Sequence, residues 1–176
     1  AMLYQWIIGL IFYRYMFFSL SPHDLMPPYW INMGAVAISA LAGALLAGCC
    51  ASSPMLIHLR PFIIGMTVMF WATAAWWIPM LIALGFWRHR LRRVPLSYDP
   101  LYWGLVFPLG MYSACTFQLA SVLEAPFLLW VARFFVVAAA IAWLLTFLGL
   151  AHRILHAIVL GVRGAQAKRV RGHPSL

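Results

Sequence analysis

Between Tyr98 and Thr116 the chain reads YDPLYWGLVFPLGMYSACT, and few of its side chains there have chemistry to offer. Phe107, Pro108, Gly110, Ser113 and Thr116 are the candidates, and none carries charge. A proline inside an apolar helix removes one backbone hydrogen bond and clashes with the turn before it. Pro108 therefore predicts a bend or a local opening, in a setting without bulk water to repair it. Broken helices of this kind tend to line pathways through membranes. On periodicity alone Phe107 reads as a lipid-facing or core aromatic, the usual place of a phenylalanine in a chain with 16% aromatics. Ser113 and Thr116 add hydroxyl donors without fixed charge. Asn32 and Ser39, an amide and a hydroxyl, offer hydrogen bonds without fixed charge in an earlier apolar segment, where Gly34, Ala35, Gly43 and Ala47 keep the helix slim. Small residues four apart serve helix packing equally well, so both readings stand at this point.

Charge is scarce enough to be informative. Arg14 and Arg133 fall within apolar segments, where a cation costs several kcal/mol and becomes a functional candidate by default. Each can attract an anion, or snorkel to the headgroups from near a helix end. His152 and His156, four apart on one helical face, have a permissible metal or haem spacing, but Arg153 beside them marks a membrane boundary where histidines need no ligand. No metal and no cofactor are expected. With only three acidic residues in the chain there are too few carboxylates for a magnesium-dependent transferase or a metalloprotease, so no enzyme is expected. Cys49 and Cys50 are adjacent and Cys115 is isolated, which excludes a disulfide framework or a CxxC metal site.

The elements that must position these residues follow from composition. Of 176 residues, 65% are hydrophobic and 9% charged, and the mean hydropathy is +0.92. Soluble domains carry roughly 25% charged residues. An all-α integral membrane protein of about five spans is predicted, at roughly 20 residues per crossing. The apolar segments run from Leu3 to Leu20, Ile31 to Cys50, Pro61 to Trp87, Asp99 to Ala120 and Phe127 to Leu150. Pro79 predicts a kink in the third, RHRLRR a stop after it, and Asp99 with Pro100 an N-cap and first helical position for the fourth. Residues 1–152 thus read as a transmembrane bundle and 153–176 as a basic tail. The abrupt apolar start, with no basic leader or cleavage site, predicts upstream sequence rather than a signal peptide.

A formal charge of +9 raises the question of nucleic acid, but the arginines cluster directly outside apolar segments. No nucleic-acid partner is expected. Arg88, Arg90, Arg92 and Arg93 after the third segment, and the basic residues after the fifth, predict a cytoplasmic location for both, including the C-terminus.

The motif WGLVFPLG, with Ser113 and Thr116 after it, and PPYWINMGAVAISALAG from Pro27 to Gly43 together resemble one family. It is the slow-anion-channel, tellurite-resistance and C4-dicarboxylate transporter family, sometimes filed as voltage-dependent anion channels, and its bacterial branch is the nearest. The resemblance implies ten helices in five hairpins around a central pore, with the present five corresponding to the sixth through tenth. The second and fourth would then line the pore, and Phe107 matches the family's pore-blocking phenylalanine. It further implies passage of small anions such as malate, sulfite, tellurite-type oxyanions or inorganic ions across a bacterial inner membrane. The implied partners are membrane lipid, missing N-terminal helices or a second polypeptide, and a homotrimeric assembly. Proton-coupled export, or a non-conducting scaffold or haem-bearing subunit using His152 and His156, are the alternatives.

Overall fold

The computed structural model describes residues 2–18, 27–49, 54–91, 93 and 98–171, and of residues 161–171 only the helical backbone. Among these residues every regular element is helical. Helix α1 spans Met2–Phe17, and a short 3-10 turn at Pro27–Trp30 leads into α2, Ile31–Gly48. Helix α3 covers Pro54–Phe86, a 3-10 turn at Pro100–Tyr102 leads into α4, Trp103–Val122, and α5 runs over Leu128–Arg171. Four of these elements are long and apolar enough to cross a membrane. The 16 residues of α1 rise only about 24 Å, a little short of a full crossing. Leu20, Cys50 and Arg92, named above, lie outside the described residues.

The boundaries differ from expectation at three places. Helix α3 starts at Pro54 rather than near Pro61, because proline at the first helical position lacks only an N–H that has no partner anyway. Pro61 is then carried inside the helix on an exposed face, where the carbonyl it leaves unbonded is not sealed in the protein. The basic run does not stop α3 at once: Trp87–Leu91 winds on as a π turn, so Arg88, His89 and Arg90 extend the helix. Helix α5 continues through the tail to Arg171, since no proline interrupts the chain before Pro174. The fourth segment begins as read: the Asp99 carboxylate accepts the Leu101 N–H at 2.8 Å.

Helices α2 and α4 form the middle of the bundle. Helix α2 packs on both α3 and α4, and α4 on α2 and α5, while α1 touches α2 lightly. Lipid tails are as apolar as leucine, so close backbone approach and interhelical hydrogen bonds hold such helices together. Helix α2 supplies the first: Ala37, Ala40, Ala44 and Ala47 recur at helical spacing and are all buried. At Gly43 even one added carbon would collide with the Thr67 hydroxyl of α3. Helix α4 supplies the second, as the next section describes. A ring of aromatic contacts sets its rotation: Tyr112 stacks on Trp71 of α3 at 6.1 Å and meets Phe135 of α5 edge-on at 4.6 Å.

Candidate functional site

Helix α4 has two opposite faces. Pro108, Leu109, Tyr112, Ser113, Cys115, Thr116, Leu119 and Ala120 are buried against its neighbours. Phe107, Ala114, Phe117 and Ser121 recur at helical spacing, seven, three and four apart, on the other side and are exposed. Phe107 keeps 53% of its surface open although the adjacent Pro108 is sealed. The reason lies in α2. A side chain on Gly34 would come within 3.0 Å of Pro108 Cγ and 3.3 Å of its Cα, so the proline ring occupies the space that the glycine leaves. Seating Pro108 on Gly34 turns the next residue back in the chain, Phe107, to the open side.

The polar residues of α4 divide in the same way. Ser113 donates its hydroxyl to the Ala132 carbonyl of α5 at 2.8 Å. Thr116 is fully buried, accepts the Trp71 indole N–H at 2.9 Å and donates to the Tyr112 carbonyl at 2.7 Å. Both hydroxyls are thereby committed to helix contacts. Gln118, which was not singled out from sequence, is half-buried on the open side. Its signal was available: 107, 110, 114 and 118 follow helical spacing, and Gln118 is the one amide in that row.

A cavity of about 550 Å³ lies along this side of α4. Gly110, Ser113, Ala114, Phe117 and Gln118 form one wall, Ala132, Arg133 and Val136 of α5 another, and Leu41 of α2 closes it. Its single charged residue is Arg133, whose guanidinium carbon sits 5.4 Å from the Trp130 ring centroid. A cation over an indole face is stabilised by the ring quadrupole without losing its charge. The arrangement is an apolar trough lined by one cation and one amide.

Of the residues expected from sequence, the structure thus brings Gly110, Ser113 and Arg133 to one cavity, with Phe107 on the same helix face. Gly34 and Pro108 meet each other at the α2–α4 crossing. Thr116 belongs to the α3–α4 contact. Ser39 is half-buried and donates to the Ala35 carbonyl of its own helix at 3.3 Å, and Asn32 holds a buried amide nitrogen without a hydrogen-bond partner. Arg14 is exposed at the last turn of α1 and does not line the cavity. His152 and His156 stack at 6.4 Å on an exposed face of α5.

The profile of the voltage-dependent anion channel family matches residues 1–151. The chain belongs to that family. An uncharacterized membrane protein of Mycobacterium tuberculosis is 37% identical over 165 residues, 94% of this chain and 83% of that protein. An uncharacterized transporter of Methanocaldococcus jannaschii is 29% identical over 114 residues, 65% of this chain but 32% of the archaeal protein. A second archaeal transporter of that organism matches at 29% over 112 residues, 30% of its length. No solved structure matches. The family match takes in α1 to α4 and the membrane-crossing part of α5, and so includes the whole cavity.

Proposed function

We propose that the chain conducts small anions across the membrane along the open side of α4, with Phe107 as the constriction. One observation carries the reading: Pro108 seated on Gly34 leaves Phe107 exposed on the same face as the cavity that holds Arg133. Selectivity then comes from width and from neutral donors with one nearby cation, a combination that binds an anion weakly enough to release it. The transported ions are small oxyanions and dicarboxylates of the malate, sulfite or tellurite kind, or inorganic anions, moved by a channel or by proton-coupled export.

The open side of α4 needs a wall opposite it. The short archaeal coverage supports a reading in which these five helices are one half of a larger bundle, completed by further helices of the same protein, a second polypeptide or other copies in a homotrimer. The arginine distribution supports an inner-membrane orientation with Arg88 to Arg93 and the C-terminal end of α5 in the cytoplasm. An impermeant thiol reagent reaching Glu124→Cys from outside intact cells checks that orientation.

The gate is tested by anion flux through vesicles carrying the complete protein. Phe107→Ala removes the plug and lets water wet the constriction, so flux per folded protein should rise at least several-fold. Were Phe107 a packing residue, truncation would instead cost stability, on the order of 3–5 kcal/mol at a fully buried site, and open nothing. Unchanged or lower flux with normal folding overturns the gate. Phe134, on the exposed face of α5 and away from the cavity lining, serves as the aromatic control.

A further inference from the structure

Gln118 borders two cavities. Besides the trough that holds Arg133, it faces a second of about 440 Å³ lined by Ala47, Gly48, Ile57, Arg60, Ser121 and Val122. This second cavity lies where α2 and α4 end and α3 begins, and Arg60 is its only charged side chain. We propose that Arg60, Gln118 and Ser121 form a recruiting site for small oxyanions and carboxylates at the mouth of the pathway. The inference rests on the transport reading above and supplies that reading with an entrance.

Three observations lead to it. Arg60 Nε donates to the Ala47 carbonyl at 3.4 Å, which holds the guanidinium over the last turn of α2. The carbonyls of a helix C-terminus carry about half a negative charge and would repel an arriving anion. A cation placed there removes the repulsion and reverses its sign. Secondly, one contact through Nε leaves the four terminal N–H donors of the guanidinium for a ligand, and their fork matches two oxygens of a carboxylate or oxyanion. No carboxylate pairs with Arg60 among the described residues, and its side chain is exposed rather than sealed between helices. Thirdly, the Gln118 amide and the Ser121 hydroxyl contribute donors from across the cavity without adding charge.

The shared Gln118 gives the site its direction. An anion held by Arg60 meets the same amide that edges the Arg133 trough, and the trough continues past Ala114 to Gly110, one turn from Phe107. Two arginines from different helices thus flank one amide from opposite cavities. A half-solvated guanidinium also binds loosely and is screened by salt, which suits passage better than capture.

The test reads local potential rather than flux. In a chain with Cys49, Cys50 and Cys115 replaced by serine, Ser121→Cys is modified by an anionic sulfonatoethyl and a cationic trimethylammonioethyl methanethiosulfonate, and the two rates are followed by mass spectrometry. Arg60→Gln should lower the anionic-to-cationic rate ratio about fivefold or more, as loss of one unit charge several ångströms away requires. Arg60→Lys, which keeps the charge, should retain most of the ratio. Sodium nitrate at fixed ionic strength should slow the anionic reagent only while residue 60 is cationic. An unchanged ratio in Arg60→Gln, with the protein folded, is the result of an arginine that only caps α2, and overturns the site. Because no transport is needed for this readout, a ratio that falls as stated beside a silent Phe107→Ala keeps the entrance and removes the gate. The reverse pair of results removes the entrance alone.

Discussion

Helices α4 and α5 cross the same bilayer side by side and are built on opposite plans. Helix α5 is the more apolar of the two and the more exposed, with Phe134, Val137, Ile141, Leu144 and Leu148 all outward. Helix α4 carries proline, glycine, hydroxyls and an amide, and is buried over nearly half of its crossing. In water the order would be reversed, because burial there follows apolar area. Lipid gives apolar side chains no reason to leave it, so what moves inside is whatever lipid solvates badly or whatever lets two backbones come close. The lesson is that in this chain polarity marks the inside of the bundle and hydrophobicity its outside.

The open side of α4 is the exception to that rule, and a charge scan tests it most strongly. Arginine at Ile141, on the lipid face of α5, should cost roughly 2.5–3.5 kcal/mol of membrane insertion. If the open side of α4 lines the proposed pathway, arginine at Ala114 there should cost well under half of that, because water in the trough would solvate the guanidinium. Glycosylation-reporter insertion assays on both variants give the comparison directly. Equal penalties would mean that lipid covers both faces, and the pathway reading would fall.

The next effect in size concerns the α2–α4 crossing. Gly34→Val places a branched side chain where the Pro108 ring already sits at 3.0 Å, and overpacking of this kind costs about 1–3 kcal/mol. Ala140→Val on the exposed face of α5 adds the two branching methyl carbons to lipid and should change stability by less than about 0.5 kcal/mol. Thermal unfolding in detergent resolves a gap of that size. The smallest difference belongs to hydroxyls. Thr116→Val strands the Trp71 indole N–H, which should cost on the order of 1 kcal/mol, whereas Thr73→Val loses only a bond to the Met69 carbonyl of its own helix. Thr73 should read as neutral. A Thr116 variant as stable as that one would show that the Trp71 contact contributes nothing.

How much of this was legible beforehand differs along the chain. The PPYWINMG and WGLVFPLG motifs led to the right family, and Phe107 stands on the open face as a gate would require, although gating itself awaits its flux measurement. Ser113, Thr116 and Phe107 lie on one apolar helix, all uncharged, and nothing in their types says which of them faces a neighbouring helix. Their separation is a matter of angle. At 100° per residue, Thr116 faces α3 and Phe107 faces away from it, and no list of residue types contains the azimuth of a neighbouring helix. Gln118 and Arg60 do not stand out in sequence for the same reason: one amide and one loop-proximal arginine acquire meaning only where two cavities share a wall. The start of α3 is ambiguous in sequence because Pro61 and Pro54 satisfy the first-turn preference equally, and the helix begins at the earlier one.

Composition and spacing alone dictated that the chain is helical, that it lives in a membrane, and roughly where its crossings fall. Those properties depend on transfer of each segment from water to hydrocarbon and on backbone hydrogen bonds made within it, both of which are local. Which face of α4 is sealed, that Pro108 rests on Gly34, and that the cavities holding Arg60 and Arg133 share Gln118 were decided by tertiary packing. Contacts between segments of like hydrophobicity are chosen by shape and by a few directed hydrogen bonds, and shape exists only once the helices stand side by side.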